Sequence, residues 1–221
     1  MPDETLSALT LSLEVAVLAT VANALVGIPL AFLLARQRFR GHAIVDLLVT
    51  LPLVLPPTVT GYYLIVLLGR RGWLGGPLYA ATGWTVAFTW YAAVIAATIM
   101  ALPLLVRTAR AAIESVDRDL ERAARTLGRS EWRIALEVTL PLARNGILAG
   151  LVLAFARALG EFGATLMLAG NIPGRTQTVP LAIYTAVQTG ERGDALGLVA
   201  VLTALSCVVL IAAGRLGARA A

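Results

Sequence analysis

The sequence predicts an all-α integral membrane protein: a bundle of about five transmembrane helices with one cytoplasmic helical segment. Three observations carry that expectation. Of the 221 residues, 58% are hydrophobic and 14% charged, against about 45–50% and about 25% in soluble domains. Five stretches are apolar over the roughly 20 helical residues needed to cross a hydrocarbon layer about 30 Å thick. The arginines are spread unevenly among the segments between those stretches. A water-soluble fold of this composition would expose a large apolar surface, and so apolar a chain does not stay disordered.

The first span runs from about Leu9 to Ala35, with Glu14 near its start and Asn23 inside it. The second, Ala43 to Gly69, carries Asp46 at its edge and Pro52, Pro56 and Pro57 within it. The third lies between Trp84 and Val106, in a region without charge from Gly72 onward. The fourth covers about Asn145 to Gly170 and contains Arg157 and Glu161; the fifth, Ala195 to Gly214, is uncharged. Val179 to Thr189 is apolar but too short to cross, and reads as a re-entrant or interfacial helix. Residues 1–221 then form a single transmembrane domain, with a cytoplasmic loop at about 107–144.

Arginine sets the orientation. Arg36, Arg38 and Arg40 follow span one, eight arginines from Arg107 to Arg144 follow span three, and Arg215 and Arg219 follow span five. The opposite side holds Arg70, Arg71, Arg175 and Arg192. The positive-inside rule places the first set in the cytoplasm, the N-terminus outside and the C-terminus inside. The net charge of +5 follows from this topology and from anionic lipid; no nucleic-acid partner is needed. Asp3 and Glu4 stand where a signal peptide has basic residues, so the first span reads as retained. Trp73, Tyr79, Trp84, Trp90 and Tyr91 suit an aromatic belt at the outer interface.

Composition excludes several chemistries. All eighteen cations are arginine, so a phosphate loop of the G-x-x-x-x-G-K-[ST] kind and a Schiff-base lysine are impossible. His42 is the only histidine and Cys207 the only cysteine, which leaves no zinc cluster and no disulfide within the chain. The chain is read as binding no cofactor and no metal. An intramembrane enzyme would need a nucleophile–base pair or carboxylate cluster at membrane depth, and only Arg157 and Glu161 stand there.

The loop after span three is the one segment long enough to meet a soluble partner. Val116, Leu120, Ala123, Ala124 and Leu127 recur at helical spacing. Asp117 suits the N-cap, Asp119 the first turn, and Glu121 stands four residues before Arg125 for an i,i+4 pair. Gly128 ends the helix. A second short helix carries Trp132, Leu136 and Val138 toward Pro141. An amphipathic helix lying on the lipid surface and a docking helix both fit this pattern.

Ala123-Ala124-x-x-x-Gly128 followed by Leu140-Pro141 resembles the coupling motif of permease subunits of ABC importers. That family places glutamate directly before the two alanines; here Arg122 occupies the position and Glu121 precedes it. Leu51-Pro52-Leu53-Val54-Leu55-Pro56-Pro57, ERAARTLG from Glu121 to Gly128, and FARALGEFGATLMLAGNIPGRTQTVPLAIYT from Phe155 to Thr185 are similar to molybdate permeases of that family. The resemblance implies a type I importer. On that resemblance two copies of the chain would form the pore, two separate ATPase subunits would dock below and hold the ATP, and an extracytoplasmic protein would deliver the oxyanion. It implies a coupling site of Glu121, Arg122, Ala123, Ala124, Leu127, Gly128, Leu140 and Pro141.

Pro56, Pro57, Arg157, Glu161 and Asn171 are the candidates for a translocation path or gate. Intramembrane charges are costly and usually face a bundle interior or a watery path. Arg157 and Glu161, four apart, are either a packing pair or a lining pair. Gly160 and Gly163 permit close helix approach. The prolines give either a static bend or a kink beside a pathway. Asn171, Arg175, Thr176, Gln177 and Thr178 are either anion donors or a solvated loop. Tungstate or sulfate would suit such a path as well as molybdate, and a stand-alone channel would leave the cytoplasmic loop without a role.

Overall fold

The computed structural model describes residues 2–37 and 39–218. Arg38 and Arg219, counted above toward the charge bias, lie outside the described residues. The elements in order are α1 (Pro2–Arg36), α2 (His42–Val54), α3 (Pro57–Leu68), α4 (Gly75–Thr82), α5 (Trp90–Glu114), α6 (Arg118–Thr126) and α7 (Glu131–Ile134). A π-helical turn (Ala135–Thr139) then leads into α8 (Leu140–Leu159), α9 (Gly163–Ala169), α10 (Val179–Thr189) and α11 (Arg192–Ala218). Among the described residues there is no strand.

α1 shows how the bundle is built. Ala8, Ser12, Val15, Ala16, Ala19, Asn23, Ala31, Leu34 and Ala35 are buried at three- and four-residue spacing. Leu13, Val17, Leu18, Val21, Leu25 and Val26 on the other faces are exposed, as suits a surface meeting lipid. α5 supplies the complementary stripe of Ala92, Ala93, Ala96, Ala97 and Ala101, all fully buried. Small side chains let backbones approach closely, which is how helices gain packing energy where the hydrophobic effect is weak. α1 and α8 both pack along α5, and α11 packs on α8. Asn23 is fully buried, with no hydrogen-bond partner among the described residues for either end of its amide.

Among the described residues, three helical stretches are long and apolar enough to cross a membrane: Glu4–Arg36, Trp90–Glu114 and Glu131–Leu159. Span two departs from the expected single helix. α2 and α3 are bent by 120° at their junction, and at about 1.5 Å per residue neither alone crosses about 30 Å. Pro56 and Pro57 explain the break: two consecutive residues cannot donate to the helical ladder, and the residue before each proline is pushed out of the α region. Leu55 is accordingly extended, with φ −71° and ψ 142°. Span four ends at Leu159, short of Gly170, and span three's helix continues past Val106 to Glu114. In α11 the apolar stretch is Ala195–Ile211. The short apolar piece is the helix α10, which lies against α11 and α1; its Val179 N–H donates to Ser12 Oγ at 2.7 Å.

Candidate functional site

The segment between α5 and α8 is a capped helix, a glycine turn and a second helix. Asp117 takes the N-cap, its carboxylate accepting from Asp119 N–H at 2.9 Å. Gly128 has φ +78°, the left-handed conformation that closes a helix with little cost for glycine alone. α7 does not stand apart from the following span. Leu140 N–H reaches back five residues to the Ala135 carbonyl, so the helix runs on from Glu131 to Leu159 through one wide turn. Pro141 has no N–H and its ring would crowd the carbonyl of the preceding turn; the π turn absorbs that conflict without ending the helix.

Glu121 is not paired with Arg125, as the i,i+4 spacing predicts. Its Oε1 lies 2.9 Å from Arg36 Nη2, with the two side chains 6% and 8% exposed, and accepts from Thr139 Oγ1 at 2.7 Å. Arg36 Nη2 also donates to the Val116 carbonyl at 3.0 Å. Arg125 turns instead to Glu131, with Nη2 on Oε2 at 2.8 Å. A charge buried at the end of α1 demands a counter-charge, and removing either partner of such a pair costs about 3–5 kcal/mol. An exposed helical i,i+4 pair contributes about 0.3–0.5 kcal/mol and cannot compete.

This rotation settles which face of α6 is free. Val116 is buried, but Leu120 is 49% and Leu127 82% exposed, and Arg122 and Ala123 are exposed with Ala124 half-buried. Trp132 and Leu136 beyond the glycine are exposed as well, at 72% and 47%. The apolar stripe legible in the sequence therefore points away from the bundle, while the glutamate points in. Leu140 is half-buried and Pro141 exposed at the start of α8.

The second candidate site lies at the break between α8 and α9. Because α8 stops at Leu159, Arg157 occupies its last turn and not the middle of a span. Glu161 stands just before α9, and its Oε1 accepts from Ala164 N–H at 2.8 Å. Arg157 Nη1 lies 2.6 Å from Glu161 Oε2, the side chains 26% and 2% exposed. A cation thus sits at a helix C-terminus and an anion at a helix N-terminus, each favoured by the local dipole. Pro57 is brought to this break: a Cβ added to Gly163 would come 2.9 Å from Pro57 Cβ. Pro56 sits just ahead, in the extended turn between α2 and α3. Gly61 meets Met167 and Ala164 in the same way, so α9 runs alongside α3. Close approach belongs to Gly163 and Gly61; at Gly160 a side chain would meet only the Ala156 carbonyl, at an ordinary 3.7 Å.

Asn171 does not join them. Its Nδ2 donates to Thr185 Oγ1 at 2.9 Å and its Oδ1 accepts from Gln177 Nε2 at 2.9 Å. Thr176 Oγ1 accepts from Ile172 N–H at 3.0 Å. Residues 171–178 are therefore a folded turn braced within itself and on Thr185 of α10, and only Arg175 among the expected donors is exposed. Local spacing also missed three contributors. Arg36 was counted only for topology, Thr139 lies in a turn set by Pro141, and Asp46 accepts from Arg110 Nη1 at 3.1 Å across α2 and α5. His42, the only histidine in the sequence, has its Nε2 3.0 Å from the Leu34 carbonyl.

The described residues thus form an all-helical membrane bundle with broken spans at its centre, and α6 is braced on it with an apolar stripe turned away from the bundle. Residues 27–220 match the family of binding-protein-dependent transport system inner membrane components, and the chain belongs to it. It is 52% identical over 197 residues to the molybdenum transport system permease protein ModB of Escherichia coli (strain K12), spanning 88% of this chain and 86% of that one. The Haemophilus influenzae protein of the same name is 46% identical over 93% and 91% of the two chains. A putative molybdenum transport system permease of Bacillus subtilis is 40% identical over 90% and 88%. In fold the chain is similar to the inward-facing MetNI methionine ABC transporter (TM-score 0.73, 18% identity, 97% of this chain and 94% of that one). It is also similar to a bacterial alginate importer (TM-score 0.77, 19% identity, 98% and 79%).

Proposed function

We propose that this chain is the pore-forming permease of an ATP-driven molybdate importer in the cytoplasmic membrane, with its N-terminus outside and its C-terminus inside. Two copies form the conduit. Two ATPase subunits seat beneath them, each receiving α6 in a groove, and an extracytoplasmic binding protein delivers the oxyanion. The observation that carries the substrate is the 52% identity to a molybdenum transport permease along 88% of the chain. Support for the ATPase contact comes from the exposed stripe of Leu120 and Leu127 on a helix whose other face is pinned by Glu121. ATP itself is bound and hydrolysed by the partner. The turn of α2 and α3 at Pro56 and Pro57, together with the Arg157–Glu161 pair, lines or gates the path. Nucleotide-driven closure biases the bundle between two arrangements.

Reconstitution of the chain with its ATPase and binding protein tests this reading. ATP-dependent uptake of labelled molybdate is expected, with tungstate and sulfate as competitors. Preferential uptake of sulfate would reassign the substrate; uptake without any ATPase would replace the importer by a channel.

A further inference from the structure

We propose that Arg36 is a positioning residue for coupling, a strut that ties α6 to the end of α1. The inference rests on the reading of α6 as the ATPase-docking helix. α6 is joined through the chain only to α5, by Ser115–Asp117, and to the α7–α8 helix, by the turn at Gly128. α1 has no such connection, yet it packs along both α5 and α8. At its last residue one guanidinium nitrogen holds the Val116 carbonyl just before α6 and the Glu121 carboxylate within it. Thr139, at the root of α8, donates to the same carboxylate oxygen.

Three helices thus meet at one oxygen, with both charged side chains more than nine-tenths buried. Both acceptors are held by the one nitrogen, Nη2, so the tie is a single charged point gripped from two sides, while Nε and Nη1 are buried without a partner among the described residues. A displacement of α6 therefore moves α1 with it, and α1 need not wait for α5 and α8 to rearrange.

The test uses the complete transporter in proteoliposomes. Arg36→Gln leaves the Glu121 carboxylate buried without a counter-charge and so lowers the yield of assembled transporter; in the fraction that co-purifies with the ATPase, molybdate uptake per ATP turned over is expected to fall ten-fold or more. Arg36→Lys, which keeps one charged donor, should recover part of that ratio. Equal loss of turnover and uptake in the assembled fraction would mark a merely structural role and overturn the proposal. So would an unchanged ratio. A second measurement does not depend on transport. With spin labels at Gln37→Cys and Thr126→Cys in a Cys207→Ser background, the distance should stay constant between the nucleotide-free and vanadate-trapped states. In Arg36→Gln it should diverge between the two. A distance that changes freely with Arg36 present would sink the strut. The underlying coupling reading fails separately: a charged residue at Ala124 would then leave ATPase association intact.

Discussion

Gly163 and Pro57 share a space that admits no further atom: a Cβ on Gly163 would stand 2.9 Å from Pro57 Cβ and 3.3 Å from Thr58 N. The break that the prolines make in span two and the break after Leu159 in span four are thereby one structural unit. Gly163→Ala would push against backbone and a rigid ring, so relief must come from separating α3 and α9. Overpacking of this kind typically costs about 1–3 kcal/mol. Gly163→Ala and Gly61→Ala should each lower the midpoint of thermal unfolding in detergent, whereas Gly160→Ala, whose Cβ would make only an ordinary contact at 3.7 Å, should not. An equal response at all three glycines would contradict the packing argument.

Glu161 has two duties, and substitutions separate them. It faces Arg157 with one oxygen and caps α9 with the other. Glu161→Gln keeps an acceptor for Ala164 N–H and loses only the charge; Glu161→Ala loses both. The alanine variant should be the less stable by about 1 kcal/mol, the usual worth of a cap. Exchange of the two charges, Arg157→Glu with Glu161→Arg, restores the pair but places each charge against the wrong helix end, so it should recover assembly only partly. Uptake measured alongside assembly distinguishes packing from lining. Full assembly with lost uptake means the pair acts on the path.

How much of this was legible beforehand follows from the range of the forces involved. Apolar run length located the membrane helices, and the α6 cap at Asp117 and the turn at Gly128 were readable because caps and left-handed glycines act over four or five residues. The prolines announced a bend in span two, but the full break comes with α3 packing on α9, Pro57 against Gly163 and Gly61 against Ala164 and Met167, which no local pattern encodes. The Arg157–Glu161 spacing was read correctly as one pair, yet its place at two helix ends depended on where α8 stops. The Glu121 partner was misread because spacing favours Arg125, and only the folded bundle presents a desolvated Arg36.

Gly128 separates backbone conformation from side-chain crowding. Nothing lies within 4 Å of a Cβ built there, and its φ is +78°. The whole cost of substitution is therefore the left-handed conformation, about 1–2 kcal/mol for an ordinary L-residue. Asparagine tolerates that region better than β-branched residues. Gly128→Asn should keep most ATPase association and uptake, Gly128→Ala less, and Gly128→Val least, while all three insert and fold in the membrane. A flat series, read by co-purification with the ATPase, would show that the turn's geometry is not what docking requires.

The Arg125–Glu131 clasp across the Gly128 turn sets the last expectation, one of pH. Hydrogen bonding to the Arg125 guanidinium holds the Glu131 carboxyl below its ordinary range, and the same contact raises Arg125. A carboxylate whose pKa is depressed by folding adds stability that is present above the unfolded value, about 4.3, and lost as pH falls through the lower folded value. The clasp therefore does not titrate between pH 6 and 8, and it opens only in acid. Amide hydrogen exchange across residues 117–134, corrected for intrinsic rate, should be flat over the neutral range and rise below about pH 4. Glu131→Gln should remove that acid step and leave the buried Arg36–Glu121 contact protected. An opening step between pH 6 and 8 would mean that a different group governs the turn.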